Sequence, residues 1–147
     1  MSNKEERITD LLSNFEDKYH NILLALDDLH KGTFNEEDST GLAALCLITQ
    51  NTLLAELAAA DLAARALKKD VEFAKANAYY DLKEQKVDGK KPAEAALAQL
   101  VLRDSEVVRL TNEQNTAERD YKNLSNVFSL LKEAHLTFRS IKKGNFV

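Results

Sequence analysis

LAALCLITQNTLLAELAAADLAARALKKDVEFAKANAYYDLKEQ, residues 42–85, contains neither glycine nor proline. Apolar or small residues fall at 42, 45, 49, 53, 57, 60, 64, 67, 71, 74, 78 and 82. The mean step of about 3.6 residues is the period of an α-helix, not the alternation of a strand. It lies nearer an 11-residue repeat than a heptad, so it predicts a nearly straight helix roughly 65 Å long. Alanine occupies several of its faces, including Ala58-Ala59-Ala60 and Ala63-Ala64. Such a helix either packs closely against more than one neighbour or is simply a strong helix former.

Downstream, Val87-Asp88-Gly89-Lys90-Lys91-Pro92 reads as a reversal, with Asp-Gly at the turn and Pro92 near the first helical position beyond it. A third helix is then expected over 92–142. Its seam passes through Leu97, Leu100, Asp104, Val107, Thr111, Gln114, Glu118, Tyr121, Ser125, Phe128, Leu131, His135 and Phe138. That spacing is close to a 3.5-residue repeat. Residues 111–116 are polar on every side, which concentrates apolar packing towards the two ends. Gly144-Asn145 is expected to end the helix and leave Phe146-Val147 as a short tail.

Upstream, Ile8, Leu11, Leu12, Phe15, Tyr19, Ile22, Leu26 and Leu29 draw one apolar stripe along residues 4–30. Lys31-Gly32 stops that helix, and Thr33-Phe34-Asn35-Glu36 fits a capping box for the next, whose start lies anywhere from 34 to 41. The fold class is therefore all-α: a long antiparallel, coiled-coil-like hairpin with a short N-terminal amphipathic helix. Residues 1–40 form an acidic helix and linker, and 41–147 form the hairpin with its reversal at 87–92. Two long helices alone bury little core per residue, so self-association into a homo-oligomer through the shafts is expected.

Composition agrees with few turns. The 147 residues include 4 Gly, 1 Pro and no Trp, whereas folds with many reversals consume glycine and proline. The net charge of −4 is uneven: residues 1–40 carry 4 Lys/Arg against 10 Asp/Glu, and the remainder carries 16 against 14. A uniformly negative surface would repel phosphates, so this division leaves the hairpin open to an anionic partner. Cys46 is the single cysteine, in the apolar run 42–48, where a thiol behaves as a small buried hydrophobe. That run is far short of the roughly 20 residues of a membrane span. With no disulfide possible within the chain and no leader-like segment after Met1, a cytoplasmic protein without membrane attachment is expected.

The residues carry little sign of catalysis. His20, His30 and His135 form no metal-ligand spacing, and Asp27-x-x-His30 is the nearest approach to a di-iron motif. Nucleophile elbows and glycine-rich phosphate loops are absent from the sequence, and the few expected loops leave little backbone for a pocket. A non-enzymatic protein without metal or cofactor is expected. The basic residues are better organised. Lys68, Lys69, Lys75, Lys83, Lys86, Lys90 and Lys91 climb the second helix towards the reversal, with Tyr79 and Tyr80 among them. Lys68, Lys75, Lys83, Lys86 and Lys90 share one broad face. Cations interleaved with aromatic rings suit single-stranded nucleic acid, charge for the backbone and rings for the bases. Asp70, Glu72, Asp81, Glu84 and Asp88 alternate with them, so ordinary i,i+4 pairing on a solvated face is the competing explanation. Lys132, Arg139, Lys142 and Lys143 form a second cationic group near the end of the third helix.

Residues 58–143 resemble the recombination mediators of T4-type bacteriophages. The likeness lies in the Ala- and Lys-rich helix running into Lys75-Ala76-Asn77-Ala78-Tyr79-Tyr80 and in the Asp88-Gly89 reversal. It continues through Asp104-Ser105-Glu106-Val107, the aromatic-bearing stretch from Tyr121 to Leu131, and Arg139-Ser140-Ile141-Lys142. Where the family has Lys-Ala-Arg ahead of the tyrosines, this chain has Asn77 in the arginine position. The resemblance implies an oligomeric ring of helical hairpins in the host cytoplasm that binds single-stranded DNA, contacts a recombinase and helps displace a single-strand-binding protein. The other function class compatible with these residues is a structural or assembly coiled coil, such as a virion component or adaptor, without nucleic-acid binding.

Overall fold

The computed structural model describes the backbone of residues 3–86 and 89–142 and the side chains of 15–86 and 89–141. The fold is an all-α helical hairpin with no β-strand among the described residues. Its elements are α1 (Asn3–Lys31), a 3-10 turn (Glu36–Asp38), α2 (Ser39–Lys83), α3 (Glu94–Arg103) and α4 (Ser105–Lys142). The expected Asp-Gly turn rests partly on Val87 and Asp88, and the expected C-terminal stop rests on Gly144 and Asn145. These four residues lie outside the described residues.

α1 ends as its sequence predicts. Gly32 adopts φ +77°, the left-handed geometry that costs glycine least. The Thr33 amide donates to Asp28 O at 2.9 Å and the Gly32 amide to Leu29 O at 3.3 Å, the two bonds of a Schellman closure. This closure displaces the expected capping box. Thr33 Oγ1 is committed backwards, 3.3 Å from both Asp28 O and Asp28 Oδ1. Asn35 caps instead, its Oδ1 accepting from the Glu37 amide at 3.1 Å. Glu36, Glu37 and Asp38 then place negative charge where the turn's free amides favour it.

The larger departure lies at Asp104. The expected continuous helix over 92–142 is two helices, α3 and α4, because Asp104 takes extended geometry at φ −57° and ψ 132°. Its Oδ2 accepts from the amides of Glu106 and Val107, each at 3.2 Å, and so caps α4. Aspartate competes well for backbone amides and is favoured at such a start over a helix interior. The break resets the register of α3: Val101 is buried at 7% exposure, while the expected seam residue Leu100 is 38% exposed. Pro92 lies ahead of the α3 cap residue Ala93 and not at the first helical position. Asp104→Ala should cost about 1 kcal/mol, read as a lower urea midpoint at unchanged m-value.

Packing groups Met1–Leu57 with Leu124–Val147, and Ala58–Asn123 separately. In the first unit Ile22 and Ala25 of α1, Ala43, Cys46 and Leu53 of α2, and Leu131, Ala134 and Phe138 of α4 form one buried cluster. α2 buries a wide arc here because two helices flank it. His135 joins the packing with Nδ1 3.0 Å from Ala43 O. In the second unit Ala74, Ala78, Val101 and Val107 are buried together, with Tyr79, Leu82 and Leu110 packed against them. All twelve α2 positions identified from periodicity are buried or half-buried.

Candidate nucleic-acid interface

The residues with a proposed nucleic-acid role all belong to the second unit. α2 carries Lys68, Lys69, Lys75, Tyr79, Tyr80 and Lys83 and ends at Lys83. Lys86, Lys90 and Lys91 follow in the connection to α3. The single helical face expected for Lys68, Lys75, Lys83, Lys86 and Lys90 therefore stops at Lys83. All seven lysines are exposed.

The two tyrosines differ in kind. Tyr79 is half-buried against the second cluster, and its hydroxyl donates to Glu94 Oε1 at 3.3 Å. It anchors α2 to α3. Tyr80 is 67% exposed and meets the edge of Tyr79 with ring centroids 5.8 Å apart. Lys83 Nζ lies 5.8 Å from the Tyr79 ring centre, a cation–π arrangement. The exposed ring available to stack on a base is thus Tyr80, while Tyr79 holds it and Lys83 in place.

Intrachain pairing leaves most of these cations open. Lys91 meets Glu84 at 3.8 Å. Lys68, Lys69, Lys75 and Lys83 make no ion pair with the described residues. The i,i+4 partner available to Lys68, Glu72, is not engaged. By contrast Arg65 pairs with Asp61 at 3.1 Å one turn earlier. In the second cationic group, Lys132 and Arg139 are exposed in the first unit, while the Lys142 and Lys143 side chains lie outside the described residues.

Sequence reasoning missed an acidic groove beside α2. A cavity of about 480 Å³ is lined by Asp70, Phe73, Asn77 and Asp81 of α2, together with Asp104 and Glu106. The Arg109 guanidinium hydrogen-bonds Glu106 and holds its carboxyl below the usual carboxylate range, and it reaches Glu113 at 2.8 Å. Asp70, Asn77 and Asp81 recur at helical spacing, a signal hidden by the lysines between them. Among the described residues no group of three or more His, Cys, Asp or Glu is placed to hold a metal ion.

The continuous run Glu36–Lys83 is long and apolar enough to cross a membrane by length and composition alone; its best window has mean hydropathy 1.5 and is 22% buried. No protein-family model matches the chain, and neither a curated protein nor a solved structure matches it.

Proposed function

We propose that this chain is a non-enzymatic, single-stranded DNA-binding recombination mediator, acting as a homo-oligomer that loads a recombinase in the presence of a single-strand-binding protein. The observation that carries the proposal is the set of exposed lysines that make no ion pair with the described residues, Lys68, Lys69, Lys75 and Lys83, beside the exposed ring of Tyr80. The resemblance of residues 58–143 supports the recombinational role. Phosphates would lie along the lysines and a base would stack on Tyr80. Tyr79 would act indirectly, by fixing the local geometry.

Fluorescence anisotropy with a short labelled oligonucleotide, at ~50 and ~200 mM salt, tests this. Affinity should fall steeply with salt, because each phosphate contact releases a counterion and contributes about 0.7 to the log–log slope for a single strand. Lys75→Ala with Lys83→Ala should flatten the slope by about 1.4 and weaken binding to all oligonucleotide sequences alike. Absence of binding at low salt, or binding indifferent to salt, would refute the proposal.

A second reading, an assembly coiled coil without nucleic-acid binding, is favoured by one specific observation. Phe73 is 71% exposed at the margin of an acidic groove, a surface suited to protein and hostile to phosphate. Recombinase loading predicts salt-sensitive oligonucleotide binding; the assembly reading predicts none.

A further inference from the structure

Within residues 58–83, α2 carries two apolar seams, back to back. One holds Ala64, Leu67, Val71, Ala74 and Ala78 and is buried or half-buried within the unit. The other holds Leu62, Ala66, Phe73, Ala76 and Tyr80, interrupted by Lys69, and its six positions are separated by steps of four, three, four, three and four residues. That is a heptad repeat, the spacing of a helix whose seam meets another helix. No described residue covers it: Leu62, Phe73 and Tyr80 are 70%, 71% and 67% exposed. The abundance of alanine on several faces thus has a geometric basis. Ala66 and Ala76 alternate with the large residues and allow a second backbone to approach closely.

The flanks of this outer seam differ in charge. On one side stand Arg65, Lys68 and Lys75, with Asp61 and Glu72 among them. On the other stand Asp70 and Asp81 with no base of α2, opening into the groove that Asp104 and Glu106 line together with Arg109, whose guanidinium is engaged by Glu106 and Glu113. When two copies of such a helix pack antiparallel, like flanks meet, acid against acid. When they pack parallel, each acidic flank meets the other copy's basic flank. The acids Asp70 and Asp81 and the bases Lys68 and Lys75 make no ion pair with the described residues of their own chain, so both flanks remain open to this exchange.

We propose that the outer face of α2 over residues 62–80 binds the same face of a second copy of this chain, with the two helices parallel and in register. This deepens the self-association in the proposed function and rests on that element alone; because Lys68, Lys69, Lys75 and Tyr80 lie in or beside this face, pairing and DNA compete for them. A 19-residue stretch is about 29 Å long and about 10 Å across, a footprint of roughly 300 Å² per copy. At about 600 Å² in total this lies below the standard size of specific interfaces, so the association is weak, transient and concentration-dependent. It also assigns Lys68, Lys69, Lys75 and the Tyr80 ring to the protein contact in the paired state, leaving Lys83, Lys86, Lys90 and Lys91 as the cations that can meet phosphate there.

Sedimentation velocity of the full chain across ~1–100 μM, together with oxidative crosslinking, tests the proposal. The unaltered chain should shift from monomer to a larger species with rising concentration. Leu62→Glu with Phe73→Glu should remain monomeric with helical content intact by circular dichroism. Asp70→Lys with Asp81→Lys, both exposed positions, should weaken association at least ten-fold, and mixing with Lys68→Glu, Lys75→Glu chains should restore it. Ala76→Cys should form a disulfide with its own copy under mild oxidation, and in a mixture of Leu62→Cys and Tyr80→Cys chains each should crosslink only to its own kind, with no 62–80 disulfide. A monomer at every concentration would overturn the proposal. So would association unaffected by the Glu or charge variants, a 62–80 disulfide in the mixture, or gain of binding to neutral phospholipid vesicles in place of self-association. Oligonucleotide anisotropy on the monomeric Leu62→Glu, Phe73→Glu variant separates the two ideas, since it reads DNA binding without pairing.

Discussion

Replacing Phe138 with alanine should remove about 3–5 kcal/mol of stability, the largest effect expected of any truncation to alanine among the described residues. Phe138 is fully buried and is the largest such side chain. Its ring stacks on Phe34 at 5.6 Å between centroids, and Phe34 lies in the connection between α1 and α2. One ring of α4 therefore fixes both the last turns of its own helix and the path by which the chain enters α2. Its truncation loses the transfer free energy of a whole aromatic side chain and leaves a hole bordered by Ile22, Cys46, Leu131 and Ala134, which the two flanking helices can close only in part. Against a total stability of about 5–15 kcal/mol for a domain, that loss is enough to populate unfolded chain at 37 °C. Urea unfolding measures it. Leu136→Ala, only two residues away but 51% exposed, is the control and should move the midpoint little. Equal effects from the two substitutions would mean that α4 is turned about its axis relative to the packing described here.

The second large effect concerns Cys46. Burial at 0% exposure pushes its thiol up to about 11 from the ordinary 9.0, because the thiolate would lose its water. In the unfolded chain the thiol ionises near the ordinary value. Below that pH both states hold the proton, and the folded state keeps its full stability. As pH rises from about 9 to about 11 the unfolded chain loses its proton first, so stability falls across that window. At ~1.4 kcal/mol per unit the loss approaches roughly 2–3 kcal/mol. The alkaline loss in the parent should exceed that in Cys46→Ala by this amount, since tyrosine and lysine titration is common to both. A thiol reagent at pH 8 should modify the folded chain only through its unfolding. Rapid stoichiometric modification, or alkaline losses that run parallel in the two proteins, would show that water reaches the sulfur.

The seam of α2 was legible because burial selects side chains at every turn, and a period near 3.6 survives even when the residues are as small as Ala64, Ala74 and Ala78. The breaks were not legible by the same means. Asp104 sits at helical spacing between Leu100 and Val107, and spacing registers position without regard to chemistry. It is the carboxylate's reach to two amides that ends one helix and starts the next. Thr33 failed for a related reason: its capping signature was genuine, but the Schellman bonds had already directed the residue backwards. At the candidate interface the lysines and the exposed Tyr80 were visible as residue types. The division of Asp70 and Asp81 from Lys68 and Lys75 onto opposite flanks was hidden by their alternation along the chain. Alternating charges suggested i,i+4 pairs, yet exposed pairs of this kind gain only tenths of a kcal/mol against lysine entropy, and Lys68 does not engage Glu72. The outer seam became visible only once it was known which seam of α2 the rest of the unit fills.

Asp104 also governs how the chain tolerates changes in length. Because one carboxylate restarts the helix, the phase of α4 is set at residue 105 and not inherited from the preceding α3. Extra residues placed just before Asp104 would alter how α3 ends and leave the phase of α4, counted from residue 105, as it is. The same insertion into an unbroken helix would rotate everything beyond it by about 100° per added residue. A peptide tag or a fluorophore-bearing spliced segment belongs at that joint, where it can report on the molecule without disturbing the pairing of its long helices.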